Sequence, residues 1–274
     1  MASTFVNGRN IAANGIRQHV LRYGGPGGGR EQRDTVVLVP GITSPAITWG
    51  YVGERLGQHF DTYVLDVRGR GLSSAGDELD YSLQAQIDDV TSLVQALGLS
   101  RYALIGHSMG GRIVAGAAAA QPTGLSRVVI VDPPVSGPGR RPYPSQYPWY
   151  GDSIAVAALG CDRETMRRFC PTWTDEQLDL RAEWLHTCNP KAIRTSFDGF
   201  HTDDFHRYLP QIRVPTLLMT AERGDVVRDE DVQEIQSLLS GVLHRRVPNA
   251  GHMIPWDNEE GFYAAFGDFL GHTV

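Results

Sequence analysis

One short segment constrains this chain more than any other. It runs Tyr102-Ala103-Leu104-Ile105, then Gly106-His107-Ser108-Met109-Gly110-Gly111, then an Ala-rich stretch from Arg112 to Gln121. The first four residues are apolar and read as a buried strand, while Ile113, Val114 and Ala117 fall on one side of a helix. A serine between the two, flanked by glycines, reads as a sharp strand-to-helix turn that holds its hydroxyl exposed. The helix that follows begins beneath that hydroxyl, where its N-terminal dipole favours developing negative charge. A Gly-x-Ser-x-Gly string alone says little in a chain with 31 glycines. The setting between a buried strand and a helix gives it weight.

Around this unit strands and helices alternate from about residue 35 onward. Thr35–Val39 and Thr62–Leu65 are short apolar runs rich in β-branched residues, suited to parallel strands buried on both faces. Trp49 to Leu56 reads as a short helix between them. Leu83, Ile87, Val90, Val94 and Leu97 recur at helical spacing, with Ser82 placed as N-cap and Gly98 as the stop. Arg127–Asp132, Thr216–Met219 and Leu243–Val247 read as further strands, Gly261–Leu270 as a closing helix, and Gly15–Tyr23 as part of an antiparallel hairpin at the sheet edge. This alternation predicts an α/β architecture with a mostly parallel, doubly wound sheet. Between Pro133 and about Pro210 the pattern breaks: prolines and aromatics cluster, helical segments follow around Ala155, Thr165 and Asp175 to His186, and no strand is evident. Residues 1–133 and 210–274 are therefore expected to form the core. Residues 134–209 are expected to form an inserted helical cap over the C-terminal edge of the sheet, where such folds bind ligands.

The chain's 274 residues can bury a sizeable core. A net charge of −6 and the absence of any Lys/Arg run give no support to a nucleic-acid or membrane partner. No apolar stretch approaches the length of a transmembrane helix, and Met1–Arg9 lacks the apolar core of a signal peptide. Cys161, Cys170 and Cys188 show no Cys-x-x-Cys spacing, so neither a disulfide framework nor a zinc site is indicated. The expectation is a soluble cytoplasmic protein acting on a small molecule, with its oligomeric state left open. Gly24 to Gly29 lacks the Lys-Ser/Thr and the helix of a phosphate loop and reads as a flexible turn. His201, Asp203, Asp204 and His206 can ligate metals but share no helix face, so no metal is expected. Asp66 to Gly71 reads as a loop at the pocket's edge with structural arginines, and His19, His59 and His272 as solvated loop or edge positions.

With the serine turn at the centre of this alternation, the chain resembles the α/β-hydrolase fold, in which nucleophile, acid and histidine follow in that order. The order points to His252, in Asn249-Ala250-Gly251-His252-Met253-Ile254-Pro255-Trp256, which lies between the last strand and the final helix. A serine hydroxyl needs such a base to remove its proton during attack. His107 adjoins the serine but should point away in a turn of this geometry. Two aspartates compete for the acid. Asp225 follows a strand at the position commonest in this fold; Asp132 ends the strand expected beside that of Ser108. A strand-end Asp usually accepts from a backbone N–H two residues on. Asp132 is followed by Pro133 and Pro134, which lack that donor. Its carboxylate must find a more distant partner, and an imidazole N–H suits. Asp225 has donors at Val226, Val227 and Arg228, so a turn role explains it; Asp132 is favoured, with Asp225 as the alternative. The oxyanion hole is expected from the backbone N–H groups of Met109 and Ile42, the latter in Pro40-Gly41-Ile42-Thr43, where many hydrolases carry His-Gly.

Longer segments sharpen the resemblance. Pro40 to Trp49, Leu65 to Ser73, Gly106 to Gly110, Val131 to Arg141, Arg181 to Cys188 and Asn249 to Trp256 are similar to those of the N-formylmaleamate deformylases of bacterial pyridine-carboxylate breakdown. The likeness covers nearly the whole chain. It implies a triad of Ser108, Asp132 and His252, no cofactor, and hydrolysis of an N-formyl C–N bond to give maleamate and formate. A substrate carboxylate calls for a cation, and Arg112, Arg141, Lys191 and Arg194 are the candidates. The same scaffold could serve a carboxylesterase, a carbon–carbon bond hydrolase, or a ligand receptor. A purely apolar pocket would favour the esterase, and lack of multiple turnover the receptor. Serine rather than aspartate at the nucleophile position disfavours a dehalogenase.

Overall fold

The apolar runs assemble into one eight-stranded sheet in a computed structural model describing residues 2–27 and 33–274. In chain order the strands are β1 (Phe5–Ala13), β2 (Ile16–Tyr23), β3 (Thr35–Val39), β4 (Asp61–Leu65), β5 (Tyr102–His107), β6 (Leu125–Val131), β7 (Thr216–Ala221) and β8 (Leu243–Val247). Their spatial order is β1-β2-β4-β3-β5-β6-β7-β8; β2 pairs antiparallel with both β1 and β4, and the remaining pairs are parallel. The first hairpin closes through Asn14 and Gly15, at φ 51° and 71°, the two-residue turn whose twist matches its strands. The sequence expectation covers only its second strand. Of the glycine-rich stretch that follows, Gly28 and Gly29 lie outside the described residues.

The helices are α1 (Gly50–Leu56), α2 (Leu83–Ala96), α3 (Met109–Ala119), α4 (Tyr147–Ala158), α5 (Arg163–Arg167), α6 (Asp175–Trp184), α7 (Pro190–Thr202), α8 (Asp229–Leu238), α9 (Ile254–Asp257) and α10 (Glu259–Phe266). Strand alternation sends β3 side chains to two cores. Val37 and Val39 join Ile87 and Val90 of α2 and Ile113 of α3, while Val36 and Leu38 join Val52 and Leu56 of α1 and Phe262 of α10. Helix α2 is capped by the Ser82 hydroxyl, which accepts the Ala85 N–H. The closing helix is shorter than its apolar pattern suggests, because Gly267 turns the chain at φ 54°. Between Val131 and Thr216 the chain forms helices and irregular segments without a strand. Helix α7, absent from the sequence expectation, opens on Pro190 behind an Asn189 cap that accepts the Ala192 N–H. His19 corrects its expectation: it is buried on β2, with Nδ1 2.8 Å from the Asp66 carboxylate.

The chain runs from β3 to β4 on one side and from β5 to β6 on the other, so the loops after β3 and β5 diverge at the C-terminal edge of the sheet. A crevice forms at such a switch point, and Gly41, Ile42 and Ser108 stand at this one. No helix among the described residues is long and apolar enough to cross a membrane.

Candidate active site

Ser108 is the single residue between β5 and α3, at φ 55° and ψ −120°. A non-glycine residue rarely holds such a conformation, and its surroundings must fix it. Here the Ser108 N–H donates to the Val131 carbonyl at 2.8 Å and the Ser108 carbonyl accepts from the Gly111 N–H at 2.8 Å. The neighbouring glycines contribute space rather than conformational freedom. A Cβ on Gly106 would lie 2.2 Å from the Gly110 oxygen, and one on Gly110 would lie 2.0 Å from the Val39 oxygen. The turn is tight because the backbones touch, and the strain rests on the serine itself.

Ser108 Oγ is 2.9 Å from His252 Nε2, and His252 Nδ1 is 2.7 Å from Asp132 Oδ2. A carboxylate only accepts, so Nδ1 carries the proton and Nε2 faces the serine hydroxyl as an acceptor. The Asp132 side chain is 1% exposed, and its second oxygen accepts the Ala221 N–H at 3.3 Å. Pro133 and Pro134 offer it no local donor, and it reaches across to the histidine. Asp225 is built differently. Its side chain is 57% exposed and takes two N–H groups of Arg228, at 2.6 and 3.1 Å, which hold its carboxyl below the usual range. The structure brings Asp132, not Asp225, to His252.

His107 points away from Ser108. Its Nε2–H donates to the His252 carbonyl at 2.8 Å, and its ring packs tilted against Trp49 with centroids 5.2 Å apart. Burial, with a smaller contribution from His252, pushes its pKa from 6.5 down to about 3, so it stays neutral. The unfolded chain therefore takes up a proton below pH 6.5 that the native state refuses. The associated stability is present above pH 6.5 and is lost as pH falls towards 3, amounting to about 2 kcal/mol by pH 5. Urea unfolding at pH 7.5 and pH 5 should show this loss in the wild type and a smaller loss in His107→Gln. Equal losses would contradict the assignment.

The loop after β3 lies against the serine: a Cβ on Gly41 would sit 3.4 Å from Ser108 Cβ. Buried Arg70 braces it, with Nε donating to the Ile42 carbonyl at 3.0 Å and other N–H groups to the Arg68 carbonyl and Ser196 hydroxyl. This arginine does the bracing beside Pro40-Gly41. Among the described residues neither the Ile42 nor the Met109 N–H is donated to a protein acceptor.

These groups open on a cavity of about 530 Å³, walled by Tyr143, Trp149, Tyr150, Trp173 and Arg181 as well as by the loop after β3. Burial holds both tyrosine phenols above their ordinary pKa, so they stay neutral, with their hydroxyls 3.4 Å apart. The four expected carboxylate-binding cations lie elsewhere. Arg112 donates to the Gly199 and Asp203 carbonyls, Arg141 to Asp225, Val226 and Asp231, and Lys191 to the Asp77 carbonyl, while Arg194 pairs with Asp198. Arg181 and Arg223 line the cavity instead, and Arg223 is exposed and held by the Asn249 carbonyl. A lone arginine on a helix carries no periodic signal; its only mark in the sequence is its place at the head of the Arg181 to Cys188 segment. His201, Asp203, Asp204 and His206 do not converge, and among the described residues no group of three or more His, Cys, Asp or Glu is placed to hold a metal.

A family model described as the alpha/beta hydrolase fold matches residues 34–259. The N-formylmaleamate deformylase of Pseudomonas putida is 60% identical over 272 residues, covering 99% of each chain. The crystal structure of an N-formylmaleamic acid deformylase variant, also from Pseudomonas putida, superposes with a TM-score of 0.89 at 52% identity, covering 95% of this chain and 100% of that one. The E-2-(acetamidomethylene)succinate hydrolase structure, at 22% identity and a TM-score of 0.77 over 98% of this chain and 100% of its own, shares the fold. A serine on a strand-to-helix turn at the switch point of a doubly wound sheet thus sits in a chain that belongs to the α/β-hydrolase family.

Proposed function

We propose that the protein is a serine hydrolase that cleaves the N-formyl C–N bond of N-formylmaleamate, giving maleamate and formate. The observation that carries the reaction type is the hydrogen-bonded line Ser108–His252–Asp132 opening on a walled cavity beside two free N–H groups. Similarity to a named deformylase along the whole chain supports the substrate. Ser108 Oγ attacks the formyl carbon as His252 Nε2 takes its proton. Asp132 holds the tautomer and stabilises the imidazolium. The Ile42 and Met109 N–H groups receive the oxyanion, in a site already oriented for it. His252 then protonates the departing nitrogen. That nitrogen lies between two acyl groups, so it leaves as an amide rather than as an amine. Water, deprotonated by His252, releases formate from the formyl-enzyme and restores Ser108.

In this reading residues 134–209 are the cap that walls the cavity, residues 1–133 and 210–274 are the core, and no cofactor takes part. The unpaired thiols Cys161, Cys170 and Cys188 support a reducing, cytoplasmic setting. The test is formate release from N-formylmaleamate over many turnovers, with a simple aryl ester as comparison. Rapid formate release with slow ester cleavage is expected. Efficient ester cleavage without formate would keep the serine chemistry and overturn the substrate, and a single turnover would point to a receptor.

A further inference from the structure

Arg181 is a buried cation without an anion. It lies on α6 with 5% of its surface exposed, and its Nε and Nη2 are sealed from solvent with no hydrogen-bond partner. The other deep arginines differ. Arg68 is paired with Asp89, Arg70 donates to three carbonyls and a hydroxyl, and Arg112 donates to two carbonyls with only its Nε unpartnered. Of the four acids on its own helix, Asp175 and Asp179 are paired with Arg163 and Arg167, Glu176 and Glu183 are exposed, and none forms an ion pair with Arg181. What faces Arg181 is aromatic: its guanidinium carbon lies 5.1 Å from the Trp149 ring centre and 5.5 Å from that of Trp173. Both indoles are fixed, Trp149 by donating Nε1–H to the Phe169 carbonyl at 2.9 Å, and Trp173 by stacking on Trp256 at 6.0 Å.

Indole faces offset part of the cost of burying a guanidinium, but they accept none of its N–H groups in its plane. Nη1, the one guanidinium nitrogen that is not sealed, has no hydrogen-bond partner among the described residues either and is left for something that enters the cavity. Arg181 walls both the cavity of Ser108 and a neighbouring one of about 480 Å³, with Thr43, Ser44 and Trp173 shared between the two. We propose that Arg181 is the anion-binding subsite of this enzyme: it takes a carboxylate carried by the substrate and so selects small acyl compounds bearing one negative charge. The assignment rests on the proposed Ser108 chemistry for its place in catalysis, but its binding test does not.

Calorimetric titration of the wild-type protein with maleamate and with the neutral maleic diamide isolates the charge. Maleamate should bind at least about tenfold tighter. Arg181→Gln should weaken maleamate about a hundredfold while shifting the diamide no more than about threefold, and Arg181→Lys should recover part of the loss. Equal binding of the two ligands by the wild type would overturn the proposal whether or not the variants fold. So would unaltered maleamate binding in Arg181→Gln, or a parallel loss of both ligands. If maleamate is preferred but N-formylmaleamate yields no formate, the anion subsite stands and the proposed substrate falls.

Discussion

Ser108→Ala is expected to lower kcat by about 10⁶-fold and to leave the fold intact, since removing the nucleophile leaves only what the oxyanion site and substrate binding contribute. Ser108 Oγ is the hydroxyl placed on His252 Nε2, at 2.9 Å. Activation by the base and strain at the turn both converge on this atom. The stability side follows from the backbone. Alanine carries the same Cβ as serine into φ 55°, so the strain is unchanged, and only one hydrogen bond to a part-exposed histidine is lost. The melting temperature should move by no more than a few degrees, about the effect of 1 kcal/mol in a chain of this size. Single-turnover formate release reads the chemistry, and thermal unfolding reads the fold. Residual turnover within tenfold of the wild type would remove Ser108 from its proposed role, provided the sheet is still formed.

The features legible in the sequence are those whose causes are local. The β5–Ser108–α3 unit is an apolar run, a tight turn and a helical period written consecutively. Asp132 could be singled out because Pro133 and Pro134 withhold the donors that would otherwise satisfy it close by. The features hidden from the sequence depend on what the fold places opposite a residue. β1 lies at the sheet edge with most of its side chains exposed, so it shows no apolar alternation, and only Asn14-Gly15 marks its hairpin. His19 looks like an edge residue until Asp66 arrives beneath it from the loop after β4. Arg112, one of the four candidate substrate-binding cations, stands one helical turn beyond Ser108. Its side chain leaves the other face of α3 for the carbonyls of α7 and Asp203. Arg181 reaches the cavity from α6, far along the chain, and nothing about a single charged residue reports that its partners are missing.

Asp132→Asn carries the second large effect, about 10⁴-fold in kcat, against a change within about threefold for Asp225→Asn. The reasoning turns on which nitrogen of His252 bears the proton. The Asp132 carboxylate, 2.7 Å from Nδ1, accepts from it and leaves Nε2 free to take the serine proton. A carboxamide at this buried position can present its NH₂ to Nδ1, and the Ala221 N–H already favours an acceptor on its other side. Nδ1 then becomes an acceptor, the proton moves to Nε2, and the base faces Ser108 in the wrong tautomer. The imidazolium formed during attack also loses the counter-charge of a carboxylate that is itself buried. Asp225 has neither connection: it is largely exposed, and its charge is met by Arg228 at the turn before α8. Substituting it weakens a surface pair of the kind that contributes little. Measuring kcat for both variants on one substrate, with circular dichroism to show that each is folded, decides between them. A severe loss in Asp225→Asn beside a mild one in Asp132→Asn would move the acid to Asp225 and require the loop after β7 to rearrange around His252 during turnover.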